Sequence, residues 1–213
     1  MSKPTEVEKM SKLTESVLVS LNGVTSEPLS WAGPYFGEGS AARALEVLRR
    51  SEAMLMGRGT YEVFSQQWPK APGEYAGHLN SMRKYVFSST LRDPEWENTV
   101  VISGNVVEEV RRLKETAEAD LTVYGHGQFG QTLSDAGLVD ELTLTLVPVF
   151  VPDGKAFYRP GQRAAWELVS VGEGPDRGLA VVIYRPVRAS SDSFPAAVAS
   201  DGLTPLTNER TAR

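Results

Sequence analysis

The chain has 213 residues, 41% of them hydrophobic, which is enough to bury one substantial core and too apolar for disorder throughout. Its formal net charge of -5 argues against nucleic acid as a partner, because binding a phosphate backbone requires a basic face. The absence of cysteine excludes disulfides, thiolate metal sites and a cysteine nucleophile, and with only His78 and His126 a histidine-rich metal cluster is excluded too.

The opening MSKPTEVEKMSK lacks the apolar centre of a secretion signal, and no apolar run approaches the roughly 18 residues of a membrane span. A soluble, cytoplasmic protein is the expectation. Residues 1–12 and 189–213 are poor in large apolar side chains and read as disordered tails flanking one domain, 13–188. Between them short β-rich runs alternate with helical patterns, the signature of βαβ units around a largely parallel sheet.

In chain order, SVLVSL (Ser16 to Leu21) predicts the first strand, ending at the Asn22-Gly23 turn. A Gly/Pro/aromatic loop carries Trp31, Pro34, Tyr35 and Phe36. Ser40 to Arg50 predicts an amphipathic helix with Ala44, Leu45, Val47 and Leu48 along one side. AMLMG predicts a short buried strand stopping at Gly57. The next helix is expected to start near Thr60, its hydroxyl capping the exposed N–H groups.

A polar helical stretch around Tyr75 to Arg83 leads into the strand KYVFSS. The strand TVVIS (Thr99 to Ser103) precedes a helix capped by Asn105, with Val106, Val110 and Leu113 on one face and charges ordered as the helix dipole favours. LTVYG reads as a strand, GQFGQTLSDAG as a short helix closed by Gly137, and ELTLTLVPVF as a strand. WELVSVGEG and GLAVVIYR flank the turn Gly174-Pro175-Asp176-Arg177 and predict an antiparallel hairpin at the end of the sheet.

Ligands of open α/β sheets bind beyond the carboxyl ends of the strands, where free N–H groups meet the positive end of a helix dipole. Four junctions have the composition for this: Gly57-Arg58-Gly59-Thr60, Ser88-Ser89-Thr90, Ser103-Gly104-Asn105 and Gly125-His126-Gly127-Gln128-Phe129. Small residues allow close backbone approach, and the planar fork of Arg58 suits a doubly charged phosphate. No single junction is specific, since Gly125 to Gly127 lacks the third glycine of a Rossmann fingerprint. Asp140-Glu141 reads as a solvated turn rather than a metal site, and Pro152-Asp153-Gly154 as a turn.

The string MLMGRGTYEVF resembles the MGRxTxE segment of dihydrofolate reductase-like proteins. KYVFSST, VVISG and LTVYGHGQFGQTLSDAGLVDELTLTLVPVFVPDGKAFY follow it at the family's spacing. The resemblance spans roughly Lys12 to Arg188 and is closest to the bacterial branch grouped with the C-terminal reductase domain of riboflavin biosynthesis proteins. It implies a three-layer αβα fold, with a mostly parallel sheet ending in an antiparallel hairpin, and an NADPH-dependent reductase acting on a small heterocyclic (pterin- or pyrimidine-like) or related unsaturated substrate. The rival reading is a non-catalytic nucleotide- or ligand-binding protein on the same fold.

By that resemblance Gly57, Arg58 and Thr60 face the cofactor phosphates, and Arg58 with Ser88 and Ser89 holds the 2′-phosphate that distinguishes NADPH from NADH. Ser103 and Gly104 lie along the adenine, and Gly125, His126, Gly127, Gln128 and Phe129 form the second phosphate-binding turn. There the superfamily often joins two glycines by a cis peptide, which before a residue other than proline costs about 2.5 to 4 kcal/mol. His126 departs from the double glycine and is expected to be held by its backbone, the ring being incidental.

On the substrate side, dihydrofolate reductases place a carboxylate near the helix after the first loop to assist protonation. Glu38 is the catalytic candidate, with a solvated loop glutamate as the plainer reading. Asn22 stands where this branch commonly carries aspartate; it can hydrogen-bond but not exchange a proton. Trp31 and Tyr35, with Phe36 and Trp68, are candidates for an aromatic wall over a planar substrate, or for loop anchoring. Related reductases commonly pair as homodimers, and ELTLTLVPVFV suits an interface or a central strand equally.

Overall fold

The computed structural model describes residues 10–157 and 164–187. Both expected tails fall largely outside them. Ser11, at the inner end of the first tail, is buried, and its amide and hydroxyl both donate to the Lys114 carbonyl.

Strands β1 (Leu13–Ser20), β2 (Ser51–Gly57), β3 (Arg83–Phe87), β4 (Thr99–Ile102), β5 (Asp120–Tyr124), β6 (Glu141–Val147), β7 (Trp166–Glu173) and β8 (Ala180–Pro186) form one sheet. Its order is β4-β3-β2-β5-β1-β6-β8-β7, parallel from β4 to β6 and antiparallel through β8 and β7. The helices are α1 (Pro28–Trp31), α2 (Glu38–Arg50), α3 (Arg58–Gln67), α4 (Glu74–Ser81), α5 (Val106–Thr116) and α6 (Gln128–Asp135), with a 3-10 turn over Gly33–Tyr35.

Alternation along the strands divides the core. Ala53, Leu55, Phe87 and Val123 meet Val110, Leu113 and Leu133 from α5 and α6 on one face. Met54, Met56 and Val86 meet Leu48, Tyr61 and Leu79 from α2, α3 and α4 on the other. A strand buried on both faces is apolar without alternation, which is why AMLMG reads as a continuous run. Truncating a core side chain such as Leu55 would cost about 2–5 kcal/mol.

Several boundaries move for reasons of tertiary structure. β1 begins at Leu13, because Asp140 accepts the Leu13 amide at 2.9 Å and β5 and β6 flank it. α3 begins at Arg58 with Gly57 as its N-cap, so Thr60 lies inside the first turn and caps nothing. The Ser88 hydroxyl accepts the amides of Thr90 and Leu91, ending β3 at Phe87. The α5 cap is as expected, with Asn105 accepting from Val107 and Glu108. Gly137 closes α6 with φ at 64°.

Asp140 is no solvated turn residue. It forms an ion pair with Lys114, which is buried and also donates to the Leu138 carbonyl at 2.9 Å. A buried ammonium requires such partners. β6 lies between β1 and β8, as a central strand.

Candidate functional site

The parallel strands end in a common direction, and β4, β3, β2 and β5 are consecutive neighbours. The four junctions therefore stand in a row along the carboxyl edge of the sheet. Ile102 pairs with Phe87, and Gly57 also pairs with Phe87, so Ser103-Gly104, Ser88-Ser89 and Arg58 begin side by side. The Ser88 amide donates to the Ile102 carbonyl at 3.0 Å.

The central pair is in contact. A methyl group at Gly57 would lie 3.1 Å from Phe129 Cβ, and one at Gly125 would lie 4.0 Å from Thr60 Oγ1. Gly57 and Gly127 are the N-caps of α3 and α6, and no side chain caps either helix. Two neighbouring helix starts thus keep amide donors and positive dipole ends at the same edge. Gly125 has φ at 80°, a conformation that favours glycine, while the space beside Gly59 and Gly127 is open.

Arg58 is half exposed at this edge, its Nε donating to Glu62 at 2.6 Å and its Nη1 to the Thr90 hydroxyl at 2.5 Å. It joins the 57–60 junction to the 88–90 turn through Thr90. Ser88 and Ser89 frame that turn, the first through its hydroxyl and the second through a carbonyl that accepts from Arg92 at 3.2 Å. Ser103, Gly104, Gly127 and Gln128 are exposed. Phe129 turns inward and stacks on Phe87, with ring centroids 4.7 Å apart.

His126 corrects the expectation that its ring is incidental. The ring is 4% exposed, and Nδ1 lies 2.8 Å from Oε1 of Glu15, itself 1% exposed. Sequence reasoning passed over Glu15, although strand alternation with Leu13 and Val17 was a signal that it points into the core. No peptide bond among the described residues is cis, including those of the 125–127 turn.

The residues read for the substrate side gather beyond β1. The Asn22 amide is engaged at both ends: Oδ1 accepts from the Ser20 hydroxyl and the Val151 amide, and Nδ2 donates to the Val151 carbonyl at 2.7 Å. It binds the end of β1 to the 148–157 segment, in which Pro152-Asp153-Gly154 is a bend. Trp31 Nε1 donates to the Ser26 carbonyl at 2.9 Å, and the Tyr35 hydroxyl reaches the Pro148 carbonyl at 3.4 Å. Both rings pack against the cluster of Ala32, Val147 and Leu179. Glu38 is exposed in the first turn of α2, and Trp68 packs elsewhere, against Phe64 and Tyr75.

Asp176, read only as part of a hairpin turn, caps α2 from a distance. Its Oδ2 accepts the amides of Gly37 and Ser40 at 2.9 and 2.8 Å. The hydrogen bonds from Ser40 and Gly37 hold its carboxyl below the ordinary carboxylate range.

This strand order, with helices on both faces and a terminal antiparallel hairpin, defines a dihydrofolate reductase-like fold. The chain belongs to the RibD C-terminal domain family, whose match covers residues 11–177. It is 30% identical over 118 residues to the uncharacterised protein YyaP of Bacillus subtilis (strain 168), a stretch covering 53% of this chain and 62% of that protein.

Among solved structures, a protein assigned to riboflavin biosynthesis from Shewanella sp. PV-4 superposes with a TM-score of 0.67 at 17% identity, over 83% of this chain and 99% of that one. A pyrimidine reductase-like protein from Corynebacterium diphtheriae superposes with a TM-score of 0.56 at 16% identity, over 84% of this chain and 93% of that one.

Proposed function

We propose that the chain is an NADPH-dependent reductase of a small heterocyclic, pterin- or pyrimidine-like, or related unsaturated substrate. The observation that carries this reading is the row of four strand-end junctions on consecutive parallel strands, three of them leading into helices and two of these uncapped glycine helix starts in contact. A row of amide donors with one arginine fits an extended, multiply phosphorylated nucleotide, and a small ligand would leave most of it unused. Family membership and the name of the Corynebacterium relative support a reductase.

Gly57, Thr60, His126, Gly127 and Gln128 would hold the diphosphate through backbone amides and the Thr60 hydroxyl, and Gly125, whose own amide donates to the Ser16 carbonyl at 2.9 Å, would permit its close approach. Arg58, with Ser88 and Ser89, would hold the 2′-phosphate, Ser103 and Gly104 would lie along the adenine, and Phe129 would back the turn. Bound there, NADPH supplies a hydride from its nicotinamide ring. Asn22, Trp31 and Tyr35 would shape the substrate end by fixing the first loop, and Glu38 is the candidate proton donor.

The test is equilibrium binding of NADPH and NADH to the wild-type chain and to Arg58→Ala. Loss of a charge-assisted phosphate contact should weaken NADPH binding about tenfold or more and leave NADH nearly unchanged. Equal loss for both nucleotides, or no NADPH binding to the wild type, overturns the assignment. One observation favours the rival reading of a non-catalytic binder: the Asn22 amide oxygen is taken by Ser20 and Val151, and its amide cannot exchange a proton, while Glu38 is solvated. Tight NADPH binding without oxidation across pterins, pyrimidines, flavins and enones would decide for the binder.

For assembly, the outer strand β7 exposes Leu168, Val169 and Val171, at 52%, 43% and 65% of their surface. An outer strand with apolar side chains and unpaired backbone groups suits pairing with a second copy, and a homodimer through β7 is part of this reading.

A further inference from the structure

The Glu15–His126 pair does more than pin a turn. It lines a cavity of about 190 Å³ on the α5 and α6 side of the sheet, walled by Ser134 of α6, Leu142 of β6, Phe157 and Trp166 of β7. At about 30 Å³ per water, this is room for roughly six waters or one substituted six-membered ring. Trp31 and Tyr35, by contrast, pack against the same cluster as Leu18, whose side chain points to the opposite face of β1 from Glu15.

Two atoms of the cavity's lining residues are buried without a hydrogen-bond partner: Oε2 of Glu15 and Nε2 of His126. Leaving either unsatisfied is costly, and a carboxylate more so than an imidazole nitrogen. When the Nδ1–H of His126 donates to Glu15 Oε1, Nε2 and Oε2 are both acceptors, so one occupant satisfies both only if it brings two donors. Among the described residues lining the cavity no arginine or lysine is present, and the carboxylate supplies the formal charge. The Phe157 ring, 4.4 Å from His126 centroid to centroid, and the Trp166 indole add faces that attract a planar cation.

We infer that this cavity is a binding site for a small planar organic cation with two neighbouring N–H donors, of the amidinium or protonated aminoheterocycle class, held by Glu15 and His126. The site adjoins the proposed cofactor row, sharing His126, whose ring serves the cavity while the row uses its backbone amide, and its test uses no nucleotide.

Benzamidine is the probe, and its neutral isostere benzamide the control. The full chain carries only two imidazoles, so ¹⁵N imidazole spectra of the wild type separate His126 from His78, the assignment coming from His78→Gln. Benzamidine should shift the His126 nitrogens saturably and leave His78 in place, with benzamide about tenfold weaker or worse. Glu15→Gln should weaken benzamidine by a similar factor. Ser134→Phe, which fills the cavity and leaves the pair intact, should abolish binding and covers the case in which Glu15→Gln does not fold. Equal affinity for the two probes, no saturable shift at His126, or undiminished binding by either folded variant overturns the inference.

Discussion

Lys84 illustrates how much a single side chain can carry away from any active site. It is fully buried in β3 and donates to the carbonyls of Leu79, Asn80 and Met82, each at 2.8 Å, closing the C-terminal end of α4. Its ammonium also lies 4.6 Å from the centroid of Trp96. Burial pushes its pKa down to about 8, against the opposing pull of Glu97. Between that value and the unfolded lysine value of about 10.4 the unfolded chain binds the extra proton, so this residue makes stability rise with pH across that window. Lys84→Met should remove that rise and, by orphaning buried carbonyls, destabilise the fold by about 3 kcal/mol in denaturant titrations at pH 7. A variant as stable as the wild type would show that the carbonyls find other partners.

At the scale of elements, the first turn of α2 depends on a residue 136 positions away in sequence, Asp176 accepting the Ser40 amide. Gly39 permits the approach, since a methyl group there would sit 2.4 Å from the Pro175 carbonyl oxygen. Because hydrogen bonding lowers the Asp176 pKa in the folded state, its contribution is present above the unfolded value of about 3.9 and is lost as pH falls through the folded value. Asp176→Ala should therefore lower Tm at pH 7, with the gap to the wild type narrowing on the acid side. A gap constant with pH would mean that the loop, not the carboxylate, supports the helix. The start of α2 at Glu38 instead of Ser40 was hidden in the sequence because its cap is not local, whereas α5 was legible from its own Asn105.

For the molecule as a whole, the sheet is covered by helices at β2, β3 and β5, while β7 stands at the far edge with its apolar residues in solvent. If that edge pairs two copies, Leu168→Lys with Val171→Lys should convert a dimer to a monomer in sedimentation velocity. Both side chains are already exposed, so the fold itself should be unaffected. A wild-type monomer at micromolar concentration would remove the proposal. The apolar segment ELTLTLV is spoken for in either case, because β1 and β8 flank it.

By itself the sequence determined the alternation of strands and helices, the closing hairpin, the N-cap of α5 and the four glycine- and serine-rich junctions. Each of these is written in local chemistry: period, capping residue or turn residue. Only the tertiary structure decided that the four junctions form one row, because strand order is a long-range choice and β5 inserts between β1 and β2. It also decided the fate of the buried polar residues. Glu15, Lys84, Lys114 and Asp140 look like ordinary surface charges along the chain; Glu15, Lys114 and Asp140 find partners on elements far along it, while Lys84 turns back onto the end of the helix just before it. In the same way His126 was visible as a residue between two glycines, and the fold alone shows that its ring turns inward to meet Glu15.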